Sequence, residues 1–171
     1  FFDNSSVKKI IRDFGLSDIF YSANVMCHIP NIKQLSRNIK KVLKPNGMLI
    51  FEDPYLGDIV KKCSYDQIYD EHVFLFSLHS VKNIFKNVGM TLVDIEKINT
   101  HGGSMRYFIK NSNNAKVSKK VKLFLKKEVN LGLTSVSGLK KLSTKIHRSK
   151  RELLELLKKL RRKGKKIAGY A

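Results

Sequence analysis

Asp18-Ile19-Phe20-Tyr21-Ser22-Ala23 and Met48-Leu49-Ile50-Phe51-Glu52-Asp53-Pro54 are two short apolar runs, the second ending in charged residues. Between them Asn31 opens a stretch with Leu35, Ile39, Val42 and Leu43 at helical spacing, closed by the Pro45-Asn46-Gly47 turn. The pattern is strand, helix, strand, with the strands apolar enough to be buried. Upstream, Ser5 or Ser6 is read as the cap of a helix that runs to Phe14 and stops at Gly15. Downstream come a short helix around 56–62, an irregular stretch from Cys63 to Phe76, and a helix starting at Ser77 or Ser80 with Val81, Ile84, Phe85 and Val88 inward. Two strands follow, Met90 to Ile98 and Met105 to Ile109. This order predicts an α/β fold, the second half of a doubly wound sheet with an antiparallel edge strand.

Beyond residue 111 the character changes. Asn111-Ser112-Asn113-Asn114 is a polar break, and two helical patterns follow, 116–129 and 139–162. Gly164 ends the second, and Lys166 to Ala171 reads as an opening strand. The expected organisation is a unit at 1–111, a basic helical linker at 112–164 and the first strand of another unit at 165–171. Lys and Arg exceed Asp and Glu by 15 to 11 in residues 1–111 and by 19 to 3 in residues 112–171. A basic half of this kind suits a nucleic-acid or acidic-membrane partner. No Gly-Arg run or aromatic platform interleaves the lysines, so a solvated helical surface is the reading preferred and no nucleic-acid partner is expected.

The chain has 171 residues, 42% hydrophobic and 28% charged, enough for one core and too apolar for wholesale disorder. No apolar run approaches the roughly 18 residues of a membrane span. Phe1-Phe2-Asp3-Asn4 carries neither an initiator Met nor a basic-then-apolar signal pattern, and both ends are expected to be cut from a longer protein. Cys27 and Cys63 form no Cys-x-x-Cys pair, which predicts reduced thiols in a cytoplasmic protein and no metal ligands among these residues. A zinc site from His28, His72 and His101 lacks any pair at short ligand spacing.

In an open α/β sheet, ligands gather at the carboxyl ends of the strands. Asn24-Val25-Met26-Cys27-His28-Ile29-Pro30, Asp53-Pro54-Tyr55 and His101-Gly102-Gly103-Ser104 are expected there. Among them lies Tyr65-Asp66-Gln67-Ile68-Tyr69-Asp70-Glu71-His72, with two phenols, three carboxylates and an imidazole in eight residues. If that run is helical, Tyr69 and His72 share a face, and Glu71 or Asp70 can orient the ring. A base beside a phenol donor is what proton abstraction next to a ketone needs. The same residues also serve as a polar loop with ordinary surface pairs. His28 reads equally as a structural histidine, and Arg106 as a phosphate partner or a solvated side chain.

The Tyr65–His72 run, Phe76-Ser77-Leu78 and Thr100-His101-Gly102-Gly103-Ser104-Met105-Arg106 together resemble the S-adenosylmethionine-dependent sugar C-methyltransferases. Asn24-Val25, His28-Ile29-Pro30, Leu43-Lys44-Pro45-Asn46-Gly47 and Lys165-Lys166-Ile167-Ala168-Gly169-Tyr170-Ala171 match in order and spacing. The resemblance implies a class I, Rossmann-like methyltransferase sheet between an N-terminal zinc domain and a C-terminal Rossmann-like domain. It implies S-adenosylmethionine as cofactor and a nucleoside-diphosphate keto-deoxysugar as substrate. By this resemblance His72 is the base, Tyr69 stabilises the enol, Glu71 supports the imidazole and His28 joins them at the sugar. Asn24 lies against the cofactor, while Tyr55, Asp70, His101, Gly102, Gly103, Ser104 and Arg106 shape the sugar pocket. Where the family reads Tyr-His-Glu-His this chain has Asp70, an added carboxylate expected to raise the imidazole pKa and alter substrate fit. The glycine-rich cofactor turn and the zinc cysteines are expected before Phe1. Residues 1–171 alone are therefore expected to bind S-adenosylmethionine weakly or not at all. The other readings are a methyltransferase of this fold acting on another small acidic substrate, and a basic nucleic-acid-binding piece.

Overall fold

The computed structural model describes residues 2–113 and 115–170. Phe1, Asn114 and Ala171, which enter the expected 1–111 unit, the polar break and the 165–171 strand, lie outside them. The chain begins with α1 (Asn4–Phe14), whose cap is Asp3 and not Ser5 or Ser6. The Asp3 carboxylate accepts from the amides of Ser5 and Ser6, and the Asp3 amide donates in return to the Ser6 hydroxyl oxygen. Those donors hold the Asp3 carboxyl down at about 2.

β1 (Ser17–Ala23) lies parallel to β2 (Leu43–Pro54), joined by α2 (Ile32–Val42), which Asn31 caps. The register jumps from Ser17 opposite Leu43 to Ile19 opposite Met48, so Lys44-Pro45-Asn46-Gly47 loops out inside the pairing. Asn46 takes the left-handed conformation there, at φ 63°. α3 (Leu56–Lys62), α4 (Leu78–Lys86), β3 (Thr91–Ile98) and β4 (Ser104–Lys110) follow. Ser77 caps α4 with Ser80 in a reciprocal box.

The strands run in the order β1-β2-β4-β3. β4 is antiparallel to both its neighbours, so the antiparallel strand expected at the margin sits one place in, between β2 and β3. Alternation explains the packing: Leu49, Phe51, Met105, Tyr107 and Ile109 point into one buried layer against α2 and α4. Phe51 stacks on Tyr107 at 4.7 Å and meets Phe76 edge-on at 5.7 Å, which pins the far end of the irregular 63–76 stretch.

The expected boundary at residue 111 cuts through this packing. α5 (Lys119–Asn130) buries Val121 in the same core, with Val117, Phe124 and Leu125 against it. α6 (Val136–Arg162) joins Leu142 to Val60 and Leu133 in a smaller cluster, then leaves Leu153, Leu154 and Leu156 exposed. The basic stretch therefore divides into a packed helix and a mostly solvated one. Lys165–Tyr170 form no strand, because no described strand lies alongside to pair with them. No helix among the described residues is long and apolar enough to cross a membrane.

Candidate active site

Parallel β1 and β2 bring the carboxyl ends of their runs to one edge, and β4, entering antiparallel, begins there. At that edge Asn24 takes the left-handed conformation, φ 52°, and its amide donates to the Glu52 carbonyl at 2.8 Å. Its exposed side-chain amide bonds to nothing among the described residues. The chain then makes one 3-10 turn, Met26–His28, which drops Met26 and Cys27 into the core and leaves the His28 ring half-exposed.

The irregular stretch crosses over this turn. The Phe74 amide donates to the Cys27 carbonyl at 3.1 Å, and Phe76 bridges to Tyr55. Tyr69–His72 is a tight turn and not the helix considered from spacing: the His72 amide donates to the Tyr69 carbonyl at 3.0 Å. The i,i+3 relation survives, with the rings 4.2 Å apart and Tyr69 Oη 3.1 Å from His72 Nε2.

The tautomers follow from the partners. His72 Nδ1 lies 2.8 Å from the Gln67 carbonyl oxygen, which can only accept, so Nδ1 carries the proton of the neutral ring. Nε2 then holds the lone pair and accepts from the Tyr69 hydroxyl. His28 Nδ1 is fixed the same way by the Glu71 carbonyl at 2.7 Å. The His28 and His72 rings are 5.0 Å apart.

Two expected supports are thereby corrected. The Glu71 and Asp70 carboxylates form no hydrogen bond or ion pair among the described residues. Glu71 contributes a backbone carbonyl, and to His28; His72 is steadied by Gln67. Neither carbonyl is readable from side-chain chemistry, and Gln67 was missed for that reason. Asp70, Glu71, His28 and Val73 line an open cleft of about 390 Å³ on the His28 side, with His72 and Tyr69 outside its lining, a volume within the range of small-molecule sites.

Close to Cys27 and the two rings lies Asp53, fully buried, with both carboxylate oxygens lacking a hydrogen-bond partner of normal geometry. Burial pushes its carboxyl up to about 6, opposed by the Cys27 thiol and amide and by the fields of His28 and His72. Burial and the facing Asp53 push the Cys27 thiol far up. Cys27, His28 and His72 each bring a donor atom within 4.8 Å of the others. Spacing along the chain shows no such pattern, because residue 72 reaches 27 and 28 only through the fold.

Most of the remaining expected pocket residues have prior partners. Tyr55 is buried and its hydroxyl donates to Glu128 Oε1 at 3.0 Å; it borders a different cleft, with Asp58, Lys61 and Lys97. Arg106 is held by Glu52 and Glu96, each at 2.8 Å, so its charge is balanced within the sheet. The Ser104 hydroxyl donates to the Thr100 carbonyl. His101 is exposed at φ 49°, and the Lys62 ammonium donates to the Gly102 carbonyl. Gly103, at φ 136°, accepts from the Tyr55 amide, and a Cβ there would lie 2.5 Å from Asp58 Oδ2. Gly103→Ala is therefore expected to lower stability by about 1–3 kcal/mol, read from urea midpoints; an unchanged midpoint would count against this packing.

Residues 2–95 match the family described as methyltransferase domain, and residues 99–171 match the C-methyltransferase C-terminal domain. The C-methyltransferase NovU of Streptomyces niveus is 28% identical over 164 residues, covering 95% of this chain and 39% of NovU. The chain thus spans well under half the length of that curated relative. Among solved structures, an S-adenosylmethionine-dependent methyltransferase from Anabaena variabilis ATCC 29413 aligns with TM-score 0.48 at 13% identity, over 64% of this chain and 55% of that one. N-methyltransferase NodS from Bradyrhizobium japonicum WM9, solved with S-adenosyl-L-homocysteine, aligns with TM-score 0.40 at 18% identity, over 56% and 46%. With the methyltransferase domain matched over more than half its length, the chain belongs to the methyltransferase-domain family.

Proposed function

We propose that this chain supplies the acid–base half of an enzyme that methylates a carbon of a nucleoside-diphosphate keto-deoxysugar, in the cytoplasm. One observation carries the reading: at the carboxyl edge of the sheet an imidazole with its Nδ1 proton committed to a carbonyl presents a basic Nε2 beside a phenol. Two free cysteines suit the reducing compartment.

S-adenosylmethionine, when bound, supplies an electrophilic methyl on a sulfonium. Of the residues here, Asn24 fits a place against it, with an exposed side-chain amide at the end of β1 where such folds bind ligands. His72 Nε2 takes the proton from the carbon beside the ketone and becomes imidazolium. The Gln67 carbonyl, already accepting from Nδ1, stabilises that cation without reorganising. The Tyr69 hydroxyl, released from Nε2, donates to the oxygen of the forming enolate. The enolate carbon would then take the methyl as the sulfonium S–CH3 bond breaks and its electron pair stays on sulfur, leaving a neutral thioether, and His72 returns its proton to solvent. His28, fixed by the Glu71 carbonyl, and Asp70 border the cleft in which the sugar would sit.

The test uses the full protein with a nucleoside-diphosphate keto-deoxysugar. In deuterium oxide without methyl donor, the position beside the ketone should take up deuterium. With donor, the product should carry the new methyl on that same carbon, located by NMR. A methyl found on oxygen or nitrogen, or the absence of exchange, would refute the proposal.

A further inference from the structure

The mechanism above uses His72 and His28 and leaves Cys27 and Asp53 without a task. Both are fully buried, and the Asp53 carboxylate, beside the Cys27 thiol and in the field of the two imidazoles, has no hydrogen bond of normal geometry, a costly state. A thiol and two imidazoles whose Nδ1 protons are already committed are a donor set for a soft divalent ion.

We infer that Cys27, His28 and His72 form a binding site for a zinc-class divalent cation, with the buried Asp53 carboxylate nearby as a compensating negative charge. The ligand atoms of the first three lie within 4.8 Å of one another. Ligands in a tetrahedral shell with bonds of 2.0–2.3 Å are roughly 3.5 Å apart, so closure needs movements of about 1 Å. The segments concerned are suited to that: His28 ends a single 3-10 turn, and His72 sits in a loop. The outer shell is already built. Each imidazole donates Nδ1–H to a backbone carbonyl, Glu71 for His28 and Gln67 for His72, which fixes Nε2 as the ligating atom. Binding displaces the Tyr69 hydroxyl from His72 Nε2 and releases the Cys27 thiol proton to solvent. Magnesium and calcium, which require oxygen ligands, are excluded by the sulfur and the two nitrogens.

The consequence rests on the proposed role of His72: a ring held by the cation cannot take a substrate proton. The occupied state is then an inactive one, and zinc acts as a reversible inhibitor competing with catalysis for the same nitrogen.

Cobalt(II) titration of the chain, kept reduced without added thiol, reads the site directly. One equivalent is expected to bind, with a near-ultraviolet thiolate-to-cobalt band and the strong visible absorption of a four-coordinate centre. Zinc should bleach both. Cys27→Ser should abolish the near-ultraviolet band, while Cys63→Ser keeps it. His28→Gln, on a half-exposed ring whose loss does not threaten folding, should weaken binding at least about tenfold. No band in the parent chain, a band that survives Cys27→Ser, or one lost with Cys63→Ser overturns the site. In the full protein, added zinc should suppress methyl transfer and its removal by dilution should restore it. A Cys27-dependent cobalt band together with methyl transfer indifferent to zinc would uphold the site and sink the role given to His72.

Discussion

Replacing His72 by Asn is expected to lower the turnover of methyl transfer about 10²- to 10⁴-fold, the range contributed by a positioned general base. Asn has no lone pair basic enough to take the proton, yet it is polar and smaller than the ring it replaces, in a half-exposed loop. Folding and binding of S-adenosylmethionine should therefore be unchanged, which separates chemistry from collapse. Deuterium uptake beside the ketone should vanish with turnover, because both need the same proton transfer. Tyr69→Phe keeps the ring packed at 4.2 Å against His72 but removes the hydroxyl. It should cost about 10²-fold, the loss typical of one donor to a developing oxyanion. Glu71→Gln separates the reading from sequence from the reading of the structure. Its carboxylate does not touch His72, and the backbone carbonyl that serves His28 is untouched by the substitution. Activity within a few-fold of the parent is expected. Turnover of His72→Asn within tenfold of the parent would end the assignment of that ring as base.

What could be read along the chain was what local chemistry decides. The apolar runs at 18–23 and 48–51 became β1 and β2, and Asn31 and Ser77 capped the helices expected of them. The Tyr69–His72 pairing also came through, although by a turn in place of a helix, because an i,i+3 spacing closes in either. The losses have a common origin. Gln67 and Glu71 act through carbonyls, which every residue possesses and no side chain advertises. Cys27 meets Asp53 and His72 across long sequence separations, a contact set only by the strand order and the crossing of the 63–76 segment. Arg106 and Tyr55 looked available for substrate because their partners, Glu52, Glu96 and Glu128, stand on other elements.

Glu128 is the largest of those losses, and Glu128→Gln is expected to destabilise the fold by about 3–5 kcal/mol. In the sequence it follows Lys126-Lys127 and reads as one more charge on a solvated helix. In the structure it is fully buried at the end of α5 and accepts four hydrogen bonds. Oε1 takes the Leu78 amide at 2.6 Å and the Tyr55 hydroxyl at 3.0 Å; Oε2 takes the His79 amide at 3.0 Å and the His79 ring at 2.6 Å. One carboxylate therefore caps the first turn of α4, where unsatisfied amides and the positive end of the helix dipole favour a negative group. It also ties α5 to α4 and to the residue that follows β2. Glutamine keeps the volume but replaces one acceptor oxygen with a donor. Two of the four donors would then face an N–H₂ group in the dry interior, each unmet bond costing about 1–3 kcal/mol. Removing only the ring partner, as in His79→Ala, leaves the two amides and the phenol satisfied and should cost about 1 kcal/mol, since that side chain is partly exposed. The comparison is made by urea denaturation of the two variants and the parent. If α5 were a detached linker, Glu128→Gln would shift the midpoint no more than His79→Ala. A shift several times larger follows if this carboxylate anchors the basic helix to α4 and the core beneath the sheet.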